Sequence, residues 1–297
     1  MGIILSIFLT GIYCAQSGNW GNVSVGKDSE DRWEATLENT RISVRYGFRM
    51  KEYAEGMITD FIIKDFPDEN VAGNTMDAAA HRGELINAVI VKDSPEVKTV
   101  RLEWDPTPTK KFKGPAVSEV SISPESPYIK IDYLSYCFPH VCDIGSPGGI
   151  RGKVTDASTG GTYVIYGAEE WQKARAKITD PELRNHPNEH HRVTDDLYPL
   201  YPKPLIDRGW GETPMSYKGW YIMGVYNEKN GRGYGRILPV AAVPYIKLLW
   251  NKGFELFPFW RTKPEPHTEY LFVVEKGPDE IISFGKSLVD MQVSNAR

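Results

Sequence analysis

Cysteine is scarce in this chain: 297 residues carry only Cys14, Cys137 and Cys142. With Cys14 set aside, one pair remains, too few to staple the fold. Long apolar runs are also missing after the first fifteen residues, which excludes a later membrane-spanning helix. Concentrated positive charge is absent as well. The formal net charge is -4, the pI is near 5.9 and the basic clusters are as short as Lys110, Lys111 and Lys113. Such a balance argues against a nucleic-acid backbone as partner. No internal repeat, low-complexity tract or linker-like shift divides the sequence, so residues 33–297 read as a single domain. Its 41% hydrophobic and 12% aromatic content supplies a large core, and all-β sandwiches commonly reach roughly 200–250 residues as one domain.

Residues 2–15 (GIILSIFLTGIYCA) form an apolar run that ends in small residues and is followed by polar Gln16, Ser17, Gly18 and Asn19. This is an h-region of secretory type, too short to span a bilayer, although the charged n-region is missing. The expectation is a signal peptide over residues 1–17 and an N-terminal extension over 18–32, with the mature protein secreted or periplasmic. A buried first strand is the alternative. Export suits the pair in CFPHVC, where four residues separate Cys137 from Cys142 and a turn at Pro139 can close a small disulfide loop, two free thiols being the alternative. A metal site of Cys137, His140, Cys142 and Asp143 is the rival, weakened because structural zinc draws on a second ligand pair.

From Trp33 the pattern is β. Residues 34–37, 41–46 and 57–64 read as strands, with Asn39-Thr40 as a turn pair. Residues 67–74 read as loop and 76–82 as a helical turn. Residues 85–91 and 97–104 flank a turn at Asp93-Ser94-Pro95. Strict alternation in VSEVSI (117–122) and YIKIDYL (128–134) marks one buried and one wet face. Residues 168–177 (AEEWQKARAK), acidic at the start and basic at the end, read as the one helix. Residues 179–217 hold six prolines and three of the six histidines. A structureless stretch of that length inside a domain is usually functional. Strands resume at 220–226 and 245–250, then at 270–275 and 281–284. The expected fold is an all-β, two-sheet antiparallel sandwich with one short helix and a long functional loop.

The aromatic run 219–259 sets Arg232, Arg236, Lys247 and Glu255 among apolar residues. Arg236 and Lys247 each need a partner or a cleft there, and Glu255 and Glu275 are the natural partners. The spaced glycines of GRGYGR read as a hairpin turn rather than a strand-to-helix elbow, so nucleotide binding is discarded. Aromatic faces stack on the C–H side of a pyranose while charged groups fork onto hydroxyls and carboxylates. The pattern therefore points to a polysaccharide or oligosaccharide partner. Trp210, lying between Gly209 and Gly211, is the best stacking candidate. Of Trp220 and Tyr221, alternation puts one in the core and the other at a cleft. Lys247, His267 and Glu275 complete the substrate-binding candidates.

The order of segments resembles the galactose-mutarotase-like β-supersandwich. It runs from NTRISV (39–44) and the strand 58–64 through IDY (131–133) to KLLW (247–250) and YLFVVEKG (270–277). That resemblance implies two large stacked antiparallel sheets with a sugar on the concave face. Members include sugar epimerases and domains of polysaccharide lyases and glycosidases. Family epimerases use histidines followed by a late Glu base, for which Glu255 and Glu275 compete here.

The densest collection of proton-transfer groups is HPNEHHR (186–192), followed by Asp195, Asp196, Tyr198 and Tyr201. A polysaccharide lyase needs a base beside a uronic carboxylate, a cation to neutralise that carboxylate and an acid for the leaving oxygen. Histidine, arginine and tyrosine suit these roles. The leading expectation is β-elimination on an acidic polysaccharide. His190 or His191 is then the base, Tyr198, Tyr201 or Tyr217 the acid, and Arg192 or Arg236 the neutraliser. No cofactor is expected. A divalent cation held by His186 and His190 with Glu189 or Asp195 stays open. The other classes are a mutarotase-like epimerase using a His with Glu255 or Glu275, and a glycan-binding protein without catalysis.

Overall fold

The computed structural model describes residues 20–47, 57–66, 75–76, 83–106, 116–135, 162–168, 174–177, 190–192, 220–228, 231–239, 245–250, 254–259 and 266–295. Among them the chain is mostly β. Strands β1 (Asn22–Lys27), β2 (Trp33–Glu38), β3 (Ile42–Gly47), β4 (Met57–Ile63) and β5 (Thr75–Met76) form a five-stranded antiparallel sheet in sequence order. The segment expected as an extension thus supplies β1, which pairs along its whole length with β2 and buries Val23.

A nine-stranded antiparallel sheet contains β6 (Gly83–Asp93), β7 (Lys98–Pro106), β8 (Ala116–Ile122), β9 (Tyr128–Ser135), β10 (Thr162–Ala168), β11 (Ala174–Lys177), β13 (Trp220–Asn227), β14 (Arg232–Pro239) and β17 (His267–Val274). Its order is β11-β10-β13-β14-β17-β9-β8-β7-β6. A third sheet joins β12 (His190–Arg192), β15 (Tyr245–Trp250) and β16 (Phe254–Phe259). The single described helix, α1 (Asp279–Asn295), follows β17.

The alternation legible in the sequence creates the sandwich. Val100, Leu102 and Trp104 of β7, Val120 and Ile122 of β8, and Ile129 and Ile131 of β9 share one side of the large sheet and are buried. Strands β1 and β2 lie against β6, β7 and β8. The five-stranded sheet contributes Leu37, Val44, Tyr46 and Phe61 to the same core, and the rings of Tyr46 and Trp104 meet at 6.3 Å. This is the inner side of the large sheet.

Asn39, the expected turn residue, joins the two halves. It is fully buried. Its Nδ2 donates to the carbonyls of Ser123 and Ser126, both at 2.8 Å, while Oδ1 accepts from the amides of Arg41 and Ile42, also at 2.8 Å. One side chain thereby satisfies both the β2–β3 turn and the β8–β9 turn.

Two elements differ from the sequence expectation. The segment 168–177 carries the end of β10 and all of β11 instead of a helix, with Tyr163 opposite Lys177 and Tyr166 opposite Ala174. Helix propensity is a weak prior, and here the backbone groups find partners along an existing sheet. Conversely, residues 281–284 are helical. Four apolar residues cannot separate strand from helix, and the longer period decides. Ile281, Ile282, Gly285, Leu288 and Val289 are buried at helical spacing, with Asp279 and Glu280 in the first turn favourable to the helix dipole. This stripe packs on the outer side of β13, β14 and β17, where Ile222, Tyr226, Ile237, Tyr270, Phe272 and Val274 await it. The hairpin expected at GRGYGR is narrower than its glycines suggest: Gly231 (φ 68°) turns the chain and β14 begins at Arg232. Gly235 lies within the strand because any Cβ there would strike the Phe272 ring.

Two outcomes test this architecture. Asn39→Ala strands two donors and two acceptors and is expected to lower unfolding free energy by about 2–4 kcal/mol in urea titrations. Burial pushes the Tyr270 hydroxyl from 10.0 up to about 12. Below pH 10 both folded and unfolded chains hold this proton; between pH 10 and 12 the unfolded chain loses it first, so stability falls as pH rises. Tyr270→Phe is expected to make that alkaline decline shallower in stability-versus-pH measurements.

Candidate active site: a buried charge relay

Strand β17 is buried on both sides, yet it carries His267 and Glu269. The register explains how they are tolerated. On the inner side, His267 lies opposite Tyr133 of β9, and Arg236 of β14 lies opposite Leu271, two residues beyond Glu269. Arg236 (2% exposed) donates through Nε at 2.9 Å and through a terminal nitrogen at 2.6 Å to Oε2 of Glu269, which is wholly buried. Another Arg236 contact runs from the same terminal nitrogen to the Tyr133 hydroxyl at 3.2 Å. The second carboxylate oxygen, Oε1, lies 2.7 Å from His267 Nε2. A carboxylate paired with a guanidinium only accepts hydrogen bonds, so the proton of this contact belongs to His267 Nε2. The His267 side chain is 9% exposed and its ring lies 5.1 Å from that of Tyr133.

Arg236 is therefore paired with Glu269, a partner the sequence reading did not name. Glu275 lies at the far end of the strand run from His267, about 27 Å along an extended chain. There it sits 3.5 Å from Arg41, while its amide donates to Glu280 Oε2. Arg232 stacks over the Phe66 ring at 3.7 Å. Trp220 takes the core option, packed against the cluster under α1. Tyr221 lies in β13 opposite Leu238.

The three-stranded sheet gathers four other candidates by register. His190, Leu249 and Glu255 form one cross-strand row, and Arg192, Lys247 and Phe257 form another two residues along. His191, opposite Leu248, belongs to the alternate row. Of the loop 179–217, only His190–Arg192 is described, and it is a strand. His186, Glu189, Tyr198, Tyr201, Trp210, Tyr217, Cys137 and Cys142 lie outside the described residues, as do residues 1–17. Among the described residues, no three His, Cys, Asp or Glu side chains gather as metal ligands.

Sequence reasoning missed Glu269 and Tyr133. The signal was present in the alternation His267, Glu269, Leu271, Val273, in which two polar residues continue the buried side of a strand.

No protein-family model matches the chain, and no curated protein sequence matches it. Among solved structures it is similar to a TPR-domain containing protein from Parabacteroides distasonis, at 10% identity and TM-score 0.43, covering 83% of this chain and 48% of that one. A protein from Klebsiella pneumoniae provisionally assigned as an aldose 1-epimerase matches at 8% identity and TM-score 0.47, covering 92% and 87%. The α-N-acetylgalactosaminidase NagBb from Bifidobacterium bifidum matches at 8% identity and TM-score 0.45, covering 91% and 38%.

Removing one partner of the buried pair leaves an uncompensated charge. Arg236→Met is expected to cost about 3–5 kcal/mol in urea unfolding, and adding Glu269→Leu to restore most of the loss. A double variant as unstable as the single one would contradict the pairing.

Proposed function

We propose that this protein acts on a carbohydrate by moving a proton with His267, and that its substrate is an acidic polysaccharide cleaved by β-elimination. The observation that carries this reading is the His267–Glu269–Arg236 relay on the inner side of the large sheet. A buried carboxylate fixes the imidazole and its tautomer, and Arg236 in turn fixes the carboxylate. An imidazole held in one orientation suits a general base. Tyr133, whose ring lies beside the imidazole, is the candidate phenolic acid among the described residues.

Arg236 is occupied by Glu269, so its role becomes positioning. The neutraliser of a uronic carboxylate is then sought in Arg192 and Lys247, register partners in the three-stranded sheet whose strands also carry His190 and Glu255. His190 is the competing base. A late His–Glu pair also favours a second reading, mutarotase-like epimerisation, with Glu269 in the place expected for Glu255 or Glu275.

The test is absorbance of unsaturated uronate after incubation with a panel of uronic polysaccharides. Product formation is expected, with His267→Ala lowering kcat by about 100-fold or more while KM changes little. Retained activity in that variant with loss in His190→Ala would move the base to the three-stranded sheet. Absence of product from every polymer, with the protein folded, removes the lyase reading. Anomeric exchange followed by NMR then decides for the epimerase.

A further inference from the structure

The outer side of the large sheet holds a cleft of about 560 Å³ beside the C-terminal end of α1. Its floor is one unbroken cross-strand row: Lys92 of β6, Thr99 of β7, Ser121 of β8, Lys130 of β9 and Tyr270 of β17, each opposite the next. Ser123 and Tyr128 continue the lining, and Met291 and Gln292 of α1 form the wall. The chemistry along the row is ordered. Two hydroxyls, Thr99 and Ser121, lie 2.9 Å apart between two ammonium groups. An aromatic corner follows, where the rings of Tyr128 and Tyr270 meet edge to face at 5.7 Å. Burial pushes both phenols up, so each remains a donor at neutral pH. Gln292 Oε1 is buried with no hydrogen-bond partner among the described residues.

We propose that this cleft binds an acidic oligosaccharide, at a site separate from the His267 relay on the opposite side of the same sheet. Lys92 and Lys130 stand three strands apart, about 14 Å at the backbone, which suits a chain with repeated acid groups better than one small anion. Hydroxyls between them and a neighbouring aromatic face match the alternating hydroxyl and C–H character of a sugar ring. Gln292 Oε1 accepts from a ligand hydroxyl. The volume falls within the roughly 300–1,000 Å³ of small-ligand sites. Asp132, whose carboxylate contacts Lys130 Nζ at 2.9 Å and accepts from Thr268, is the acid beside the row; the ligand acid competes with it for Lys130. The ligand class rests on the cleft's own residues, so it stands or falls apart from the lyase reading.

The test is calorimetric titration of the full chain with fragments of polygalacturonate, alginate, hyaluronan and chondroitin sulfate, and with neutral dextran fragments. At least one acidic ligand is expected to bind, and the neutral ones not. Lys92→Gln with Lys130→Gln is expected to weaken that binding by about tenfold or more. His267→Ala is expected to leave it unchanged while lowering the rate of product formation by about 100-fold or more, which separates the two sites. Absence of binding to every acidic fragment overturns the proposal. So does binding that the double lysine variant leaves unchanged, or binding that His267→Ala alone removes.

Discussion

Everything on the inner side of the large sheet depends on a charge that cannot reach water. Glu269 is sealed in a strand covered on both sides, and the guanidinium of Arg236 is sealed with it. An ion pair so placed contributes little net stability, because desolvation offsets much of the attraction. What it imposes is register. Slipping β14 or β17 by one residue would throw one partner to the α1 side and leave the other buried alone. Tyr133 extends the constraint to a third strand, so the pairing of β14, β17 and β9 is fixed by polar chemistry as well as by apolar fit.

Much of the fold was legible because period-2 patterns survive translation into structure. VSEVSI and YIKIDYL became β8 and β9 with alternating burial as written. The pattern failed where two constraints overlapped. Residues 281–284 are apolar under either period, and only the spacing out to Leu288 and Val289 separates helix from strand. Residues 174–177 are helix formers drawn into an edge of the sheet by β10. In the candidate site, Arg236 was legible as a charge needing a partner, but the partner was not. Glu269 is 33 residues away in sequence, and only strand order, with β14 beside β17, brings the two together.

The two sides of the large sheet divide polar chemistry differently. Inside, Arg236 and Glu269 are paired and locked, which suits a group whose orientation matters more than its reach. Outside, beyond α1, lysines and hydroxyls follow one row in partial contact with water. At the end of that row β6 is an edge strand with exposed Ile86, Val89, Ile90 and Val91. Register shifts between Leu85 and Asn87 and between Ile90 and Lys92 interrupt its ladder. Such bulges twist an edge away from regular pairing with another strand.

Asn39 also has a kinetic consequence. Its amide reaches carbonyls 84 and 87 residues away, so its donors cannot be satisfied until both sheets have formed and met. The β8–β9 hairpin is a local event; the clasp that joins it to the β2–β3 turn closes a long loop. Contacts of such separation slow the search for the native topology, and assembly of the two halves is the step that this single amide completes.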